Sequence, residues 1–404
     1  MQYRGVHTHF IHWKSASTFQ IAGLATGPHQ VRLVLAGAGH HELTNPEATA
    51  VLPFTVVPSS GNAFNLEPVL TNLNAPSAMV LAPDGRVFYN ELTTGNIRII
   101  DTAPQWQVRA TPFYQFSDVQ NPNADENTGL LAITLDPAFV TNGYVYVYYT
   151  TVDPRINRVV RLTDVNGQGT SPVTIIDGIP AGLFHNGADL EFGPDGKLYI
   201  TTGDADQFIA AQDVSFLGGK TLRLNLDGSI PPDNPFPNSP VYSLGHRNPF
   251  RAAFHPHTGH LWVSENGPEE SDEINRIVAG GNYGWDIVHG KANDPRFIDP
   301  AAVFYDPPWD PCVIAPTGII AVPRNSAYPS EYHDNLFSLD FIFGRVHRLI
   351  LAGEDFSEVG SSTVIFGGGV GALLDIIQGP DGFMYLSTRT GILRLVPNST
   401  PATP

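Results

Sequence analysis

The sequence predicts an all-β protein, a six-bladed β-propeller preceded by a small β-sandwich-like segment, and three observations carry that expectation. The first is composition: 39 Gly, 35 Pro and 15% charged residues in 404 suit many short strands and tight turns rather than long amphipathic helices. The second is a repeated turn. Ala82-Pro83-Asp84-Gly85, Gly193-Pro194-Asp195-Gly196 and Gly379-Pro380-Asp381-Gly382 each precede a strand-like run, and Pro-Asp-Gly reverses a hairpin because Pro presets φ and Gly accepts φ > 0. The third is the period of that turn.

Looser copies stand at Asp136-Pro137 and at His255-Pro256-His257-Thr258-Gly259. The prolines Pro83, Pro137, Pro194, Pro256 and Pro380 are separated by 54, 57, 62 and 124 residues. The last gap is two periods, with a degenerate turn near Tyr332-His333-Asp334-Asn335 ahead of Leu336-Phe337-Ser338-Leu339. Six units of roughly sixty residues match four-stranded blades, each too small to bury a core alone and obliged to stack on its neighbours. The propeller is therefore expected over residues 63–397.

Residues 1–58 break the period. Segments 19–24, 30–35 and 54–57 alternate like strands, as in part of an immunoglobulin-like module, with 58–62 as a linker. His7, His9, His12, His40 and His41 lie here, and His7 and His9 would share a strand face. The adopted reading is polar positions on a partly exposed sheet rather than a metal site.

A formal charge of −17 argues against nucleic acid or an anionic membrane as partner, since either would be repelled over most of the surface. Cys312 is the single cysteine, which excludes an internal disulfide and a cysteine-based metal cluster. No run of eighteen apolar residues is present, so no membrane span is expected, and Met1 to His7 lack an apolar signal core.

The chemistry-bearing motifs fall between the strands. Leu244-Gly245-His246-Arg247-Asn248-Pro249 is followed by Ser264-Glu265-Asn266-Gly267-Pro268, and then by Asp272-Glu273-Ile274-Asn275. Upstream stand Phe184-His185-Asn186-Gly187 and Thr202-Gly203-Asp204, and Glu126-Asn127-Thr128-Gly129 opens an apolar run ending at Pro137. From about Asn74 to Val396 these motifs resemble the soluble quinoprotein sugar dehydrogenases, the glucose/sorbosone and aldose sugar dehydrogenase family. The resemblance implies a six-bladed propeller carrying pyrroloquinoline quinone (PQQ) and Ca2+, oxidising an aldose or related alcohol at the anomeric carbon to a lactone. It also implies a periplasmic or secreted location, and leaves room for an electron-acceptor protein as partner.

Sugar oxidation needs a base for the hydroxyl proton, a hydride acceptor, and positive charge where the acceptor becomes an oxyanion. No side chain accepts hydride, so a cofactor is required. No Gly-x-Gly-x-x-Gly opens a βαβ unit here, which disfavours nicotinamide or flavin held by that device. Carried over by resemblance, His185 is the general base, Asp204 orients it, and Arg247 stabilises the reduced oxygen. Asn127 and Asn248 join Arg247 in contacting the cofactor, and the carbonyl oxygens of Gly267 and Pro268 bind Ca2+. The bland alternatives are a hydrogen-bonded turn residue for His185 and an architectural hub for Arg247.

The resemblance fails on one side of the pocket. Val313, Ile342, Ala372 and Leu374 stand where the family places a hydroxyl residue, a lysine and two arginines, and Ala188-Asp189 replaces a glycine and a further arginine. Each lost charge-assisted hydrogen bond is worth about 1.5–3 kcal/mol. Two other readings therefore stay open: a non-catalytic propeller binding a protein or glycan, as hedgehog-interacting proteins do, and a calcium-dependent lactonase. Tyr305 and Trp309 are candidates to stack on a sugar ring, or to pack between blades.

Overall fold

The computed structural model describes residues 63–120, 127–268, 271–304 and 313–398, together with the backbone of four strands nearer the amino terminus. Met1–Asn62 and Ala63–Pro404 form two compact units. In the first, β1 (Gln2–Arg4), β2 (Thr8–Phe10), β3 (Gly27–Val34) and β4 (Thr49–Val56) make one antiparallel sheet in the order β2-β1-β3-β4. The expected strand at 19–24, the linker and the side chains of the five amino-terminal histidines lie outside the described residues.

The second unit is the six-bladed propeller. It begins with β5 (Phe64–Thr71). Blade one follows as β6 (Pro76–Leu81), β7 (Val87–Glu91), β8 (Asn96–Asp101), β9 (Gln107–Val108) and β10 (Tyr114–Gln115). Blade two is β11 (Leu130–Leu135), β12 (Tyr144–Thr150), β13 (Ile156–Val165) and β14 (Gln168–Pro180). Blade three is β15 (Gly187–Phe192), β16 (Leu198–Thr202), β17 (Lys220–Leu224) and β18 (Val241–Leu244). Blade four is β19 (Pro249–Phe254), β20 (Leu261–Glu265), β21 (Glu273–Ile277) and β22 (Ala302–Val303). Blade five is β23 (Pro316–Ala321), β24 (Leu336–Asp340), β25 (Val346–Ala352) and β26 (Glu358–Phe366). Blade six has β27 (Leu373–Gln378), β28 (Met384–Thr388) and β29 (Gly391–Pro397), and takes β5 as its outer strand. Pairing of β5 with β29 in register from Phe64↔Pro397 to Thr71↔Gly391 closes the ring non-covalently by joining the two ends of the propeller chain in one blade.

The Pro-Asp-Gly turns join the first and second strands of blades one, three and six. Their aspartates accept the backbone N–H two residues on, from Arg86, Lys197 and Phe383 at 3.1, 3.1 and 3.2 Å. The glycines adopt φ of 89°, 71° and 83°, which an L side chain rarely takes. Six buried clusters fill the junctions between successive blades: Phe88 with Val147, Tyr148 with Ile200, Tyr199 with Val263, Trp262 with Leu349, Phe337 with Leu386, and Tyr385 with Tyr89. Each fully buried large side chain contributes about 1.5–3 kcal/mol.

The first strands of the blades surround the axis, and Arg251 of β19 sits there, almost fully buried. Its Nε donates to Asp375 Oδ1 at 3.3 Å, Nη1 to the carbonyls of Ala188 and Phe250 at 2.5 and 3.0 Å, and Nη2 to those of Ser77 and Leu131 at 2.6 and 3.0 Å. One guanidinium thus ties blade four to blades one, two, three and six. Below it lies a cavity of about 250 Å³ whose lining includes Asp189, Glu191 and Asp375. Burial pushes all three carboxyls above their ordinary range, Asp189 to about 7, against the pull of Arg251.

Arg251→Met leaves Asp375 and four carbonyls without their donor. A loss of about 3–5 kcal/mol is expected, read as a lower urea midpoint. The folded state holds the Asp189 proton more tightly than the unfolded chain, whose value is 3.8. This contribution is therefore full below about pH 4 and is lost as pH rises through about 7. Asp189→Asn should flatten that component of stability against pH in melting curves between pH 4 and 8.

Candidate active site

The propeller topology sends the loops before each first strand and after each second strand to one end of the ring, opposite the Pro-Asp-Gly turns. Asn127, His185 and Arg247-Asn248 precede β11, β15 and β19, while Asp204 and Gly267-Pro268 follow β16 and β20. Every sequence-predicted site residue therefore lies at the same mouth.

His185 has φ 51°, in the left-handed region. Behind it, buried Asn186 clamps the loop. Its Nδ2 donates to the carbonyls of Asn127 and Gly182 at 2.5 and 3.1 Å, and its Oδ1 accepts from Asn157 Nδ2 at 3.0 Å and Gly182 N at 3.1 Å. Gly203 runs against this turn so closely that a Cβ there would sit 2.0 Å from the His185 carbonyl oxygen. That approach sets the imidazole beside Asp204: His185 Nδ1 lies 2.9 Å from Asp204 Oδ1. Asp204 is fully buried and also accepts from Asp206 N at 2.9 Å and from Trp285 Nε1 at 2.7 Å. An acceptor so supplied makes Nδ1 the protonated nitrogen and leaves the Nε2 lone pair available.

Asp206 Oδ1 stands 3.5 Å from the same Nδ1, and one ligand atom each from His185, Asp204 and Asp206 falls within 4.8 Å of the others. The 2.9 Å contact is a hydrogen bond, so the trio is built as an imidazole with two carboxylates rather than as an opened metal cage.

Arg247 adjoins this pair. Its carbonyl accepts from Asp204 N at 2.8 Å, and its own N–H donates to Glu265 Oε1 at 2.6 Å. The guanidinium donates from Nη1 to the Asn266 carbonyl at 3.0 Å and lies 5.5 Å from the Trp285 ring centroid. Nε has no partner among the described residues, and burial lowers the group's pKa. Trp285 thus links base, carboxylate and arginine. Aromatic residues in glycine-rich loops carry no residue code for such a role, so sequence reasoning passed over it.

Above Arg251 lies a cavity of about 690 Å³ lined by His185, Asn127 and Asn248, and also by Asn266, Arg389 and apolar groups including Leu131, Phe250, Phe341 and Leu374. None of its described lining residues is a carboxylate. Asn127 Oδ1 is buried with no partner among the described residues. Asn248 is structural as well as accessible: its Oδ1 accepts from Gly187 N at 2.9 Å and its Nδ2 donates to Asn266 Oδ1 at 3.1 Å.

Three expected contributors stand outside the cavity wall. Arg247 turns toward the Asn266 carbonyl and Trp285, and Gly267 and Pro268 form a turn beyond Asn266. In that turn Pro268 O accepts from Ser271 N at 2.9 Å. Asp272 does not offer a free carboxylate there: Oδ1 accepts from Gly267 N, and Oδ2 from Ile314 N and Ala315 N. Of the four apolar replacements only Leu374 lines the cavity; Val313 and Ile342 are 38% and 54% exposed. Asp189 faces the lower cavity rather than this one. Tyr305, Trp309 and Cys312 lie outside the described residues.

A model of the glucose/sorbosone dehydrogenase family matches residues 73–395. Quinoprotein glucose dehydrogenase B of Acinetobacter calcoaceticus is 35% identical over 291 residues, which are 63% of this chain and 60% of that protein. The chain therefore spans less than two thirds of that relative. Aldose sugar dehydrogenase YliI of Escherichia coli K12 is 30% identical over 349 residues, 80% of this chain and 90% of the relative. The PQQ-bound aldose sugar dehydrogenase of Streptomyces coelicolor shares the fold with a TM-score of 0.72 at 30% identity, over 82% of this chain and 97% of that one.

A buried lysine supports the loop carrying Phe208, whose ring lies 6.3 Å from His185 and 5.7 Å from Trp285. Lys220 Nζ donates to the carbonyls of Gly218, Ala211 and Ala210 at 2.7, 2.8 and 3.4 Å. Lys220→Met should cost about 2–4 kcal/mol through those abandoned carbonyls, with amide exchange accelerated first at 208–213.

Proposed function

Because the chain belongs to the glucose/sorbosone dehydrogenase family, we propose that it oxidises an aldose, or a related alcohol, using PQQ and Ca2+. The observation that carries this reading is the His185–Asp204 pair at 2.9 Å, with its free nitrogen at the mouth of the 690 Å³ cavity. The residues present fit the cofactor on its reactive side. Asn127 lines the cavity and its Oδ1 has no partner among the described residues, and Phe250, Phe341, Leu131 and Leu374 supply apolar surface for a planar ring system. When bound, the quinone supplies the hydride acceptor and Ca2+ the Lewis acid that side chains lack.

His185 Nε2 takes the proton of the anomeric hydroxyl. Asp204 holds the ring in the tautomer that accepts it and stabilises the imidazolium that results. Trp285 fixes Asp204 and lies against Arg247, whose guanidinium stands off the cavity wall and acts on the reacting face only at a distance. The Gly267-Pro268 turn would hold Ca2+ through main-chain carbonyls only, because Asp272 is committed to backbone donors. An acceptor protein, or a dye in the assay, would take up the electrons that a bound quinone carries. A periplasmic or extracellular setting, as the family resemblance implies, suits this chemistry.

The lactonase alternative needs a carboxylate-ringed metal site, and no carboxylate is among the described lining residues of this cavity. The eroded cofactor wall favours one competing reading, a propeller that uses this mouth to bind a protein or glycan. The deciding assay loads the apoprotein with PQQ and Ca2+ and measures dye reduction with a panel of aldoses. Sugar-dependent reduction that falls about 10²- to 10⁴-fold in His185→Ala is expected. A stably loaded protein that turns over no sugar or alcohol would sink the enzymatic reading in favour of the binding one.

A further inference from the structure

The wall facing the His185 side of the cavity has lost the polar groups that the family resemblance calls for, yet it retains one cation. Arg389 lies in the loop between β28 and β29 of blade six, three blades round the ring from His185, and it lines the upper cavity. Its backbone is pinned to blade one: the Ala75 N–H donates to the Arg389 carbonyl at 3.1 Å, and the Leu73 N–H to that of Thr390 at 2.9 Å. The guanidinium carbon sits 5.2 Å from the Phe341 ring centroid, also in the lining. No carboxylate among the described residues pairs with it.

The other lining cation, Arg251, is committed to Asp375 and four carbonyls. Thr317, the lining hydroxyl nearest in the fold to Leu374, donates to the Leu373 carbonyl at 2.8 Å. Among the described lining residues none is a carboxylate and two are arginines, in a chain of charge −17, so the arginines are what favours an anion there. Arg345 and Arg348 do not contribute, since neither lines the cavity; Arg348 instead donates to the Glu331 carbonyl and stacks 4.4 Å from Tyr332.

We propose that Arg389 is the anion anchor of this cavity, taking a carboxylate of the bound quinone in place of the family's groups now occupied by Val313, Ile342, Ala372 and Leu374. The inference rests on the quinone reading above. A planar guanidinium with no hydrogen-bond partner among the described residues, held over an aromatic ring, suits bidentate recognition of a carboxylate. Because Arg389 comes from a different loop, the ligand's acidic edge would be drawn toward the junction of blades six and one, rather than to the strand of Leu374.

The test is equilibrium binding of PQQ, and of its trimethyl ester, to the calcium-loaded full chain by fluorescence titration. Arg389→Ala should weaken PQQ binding about 10- to 100-fold while leaving the ester's affinity unchanged, and Arg389→Lys should fall between. Raising salt should weaken PQQ binding more for the parent than for Arg389→Ala. The side chain is exposed, so melting temperatures of both variants should match the parent. Equal PQQ affinity in parent and Arg389→Ala, or equal weakening for acid and ester, overturns the anchor while leaving the quinone reading intact. If the parent binds neither compound at micromolar concentration, the quinone reading falls and the anchor with it.

Discussion

The guanidinium of Arg251 is the interaction on which the rest of the propeller depends. Six small sheets arranged round an axis leave a polar hole lined by the ends of their first strands, and unpaired carbonyls there would be costly. Arg251 answers four of those carbonyls and one carboxylate from the centre. Ser77 Oγ bonds the Leu130 carbonyl, Ser264 Oγ that of Thr317, and Thr317 Oγ1 that of Leu373, which carries the same stitching round to blades five and six. The guanidinium also forms a floor, since it lines both the upper and the lower cavity.

The floor separates two electrostatic environments. Below it, three carboxyl groups share one arginine in a small cavity, and desolvation drives them toward their neutral forms. Above it, the described lining offers amides, hydroxyls, aromatic rings and two arginines. Among the described residues, then, the carboxyls gather below the floor and not on the wall above it. Such a contrast arises because consecutive residues of a strand differ in depth along the axis: Gly187 reaches the upper cavity, while Asp189 and Glu191, further along the same strand, reach the lower.

Reactivity at the mouth depends on support from behind. His185 is held by a left-handed turn, Asn186 and the close approach of Gly203; Asp204 by Trp285 and the Asp206 N–H; Arg247 by Glu265 and the Asn266 carbonyl. These partners come from blades three and four, and Asn186 ties them to blade two through the Asn127 carbonyl. Orientation is therefore supplied by neighbouring blades, and the loops themselves need little regular structure.

By itself the sequence determined the architecture, because a turn that must reverse a hairpin leaves a local chemical signature, and its recurrence counts the blades. The degenerate fifth repeat was legible for the same reason, through the strand at Leu336–Asp340. His185 and Asp204 were legible through motif resemblance, and the structure brings them into contact. Tertiary structure alone decided what no local pattern encodes. It put Trp285 behind Asp204, moved Arg247, Gly267 and Pro268 off the cavity wall, and set Arg251 on the axis and Arg389 across the mouth. Those outcomes depend on which distant strands are stacked side by side, and a side chain's distance to a residue sixty or three hundred positions away is a property of the closed ring, not of its neighbours in the chain.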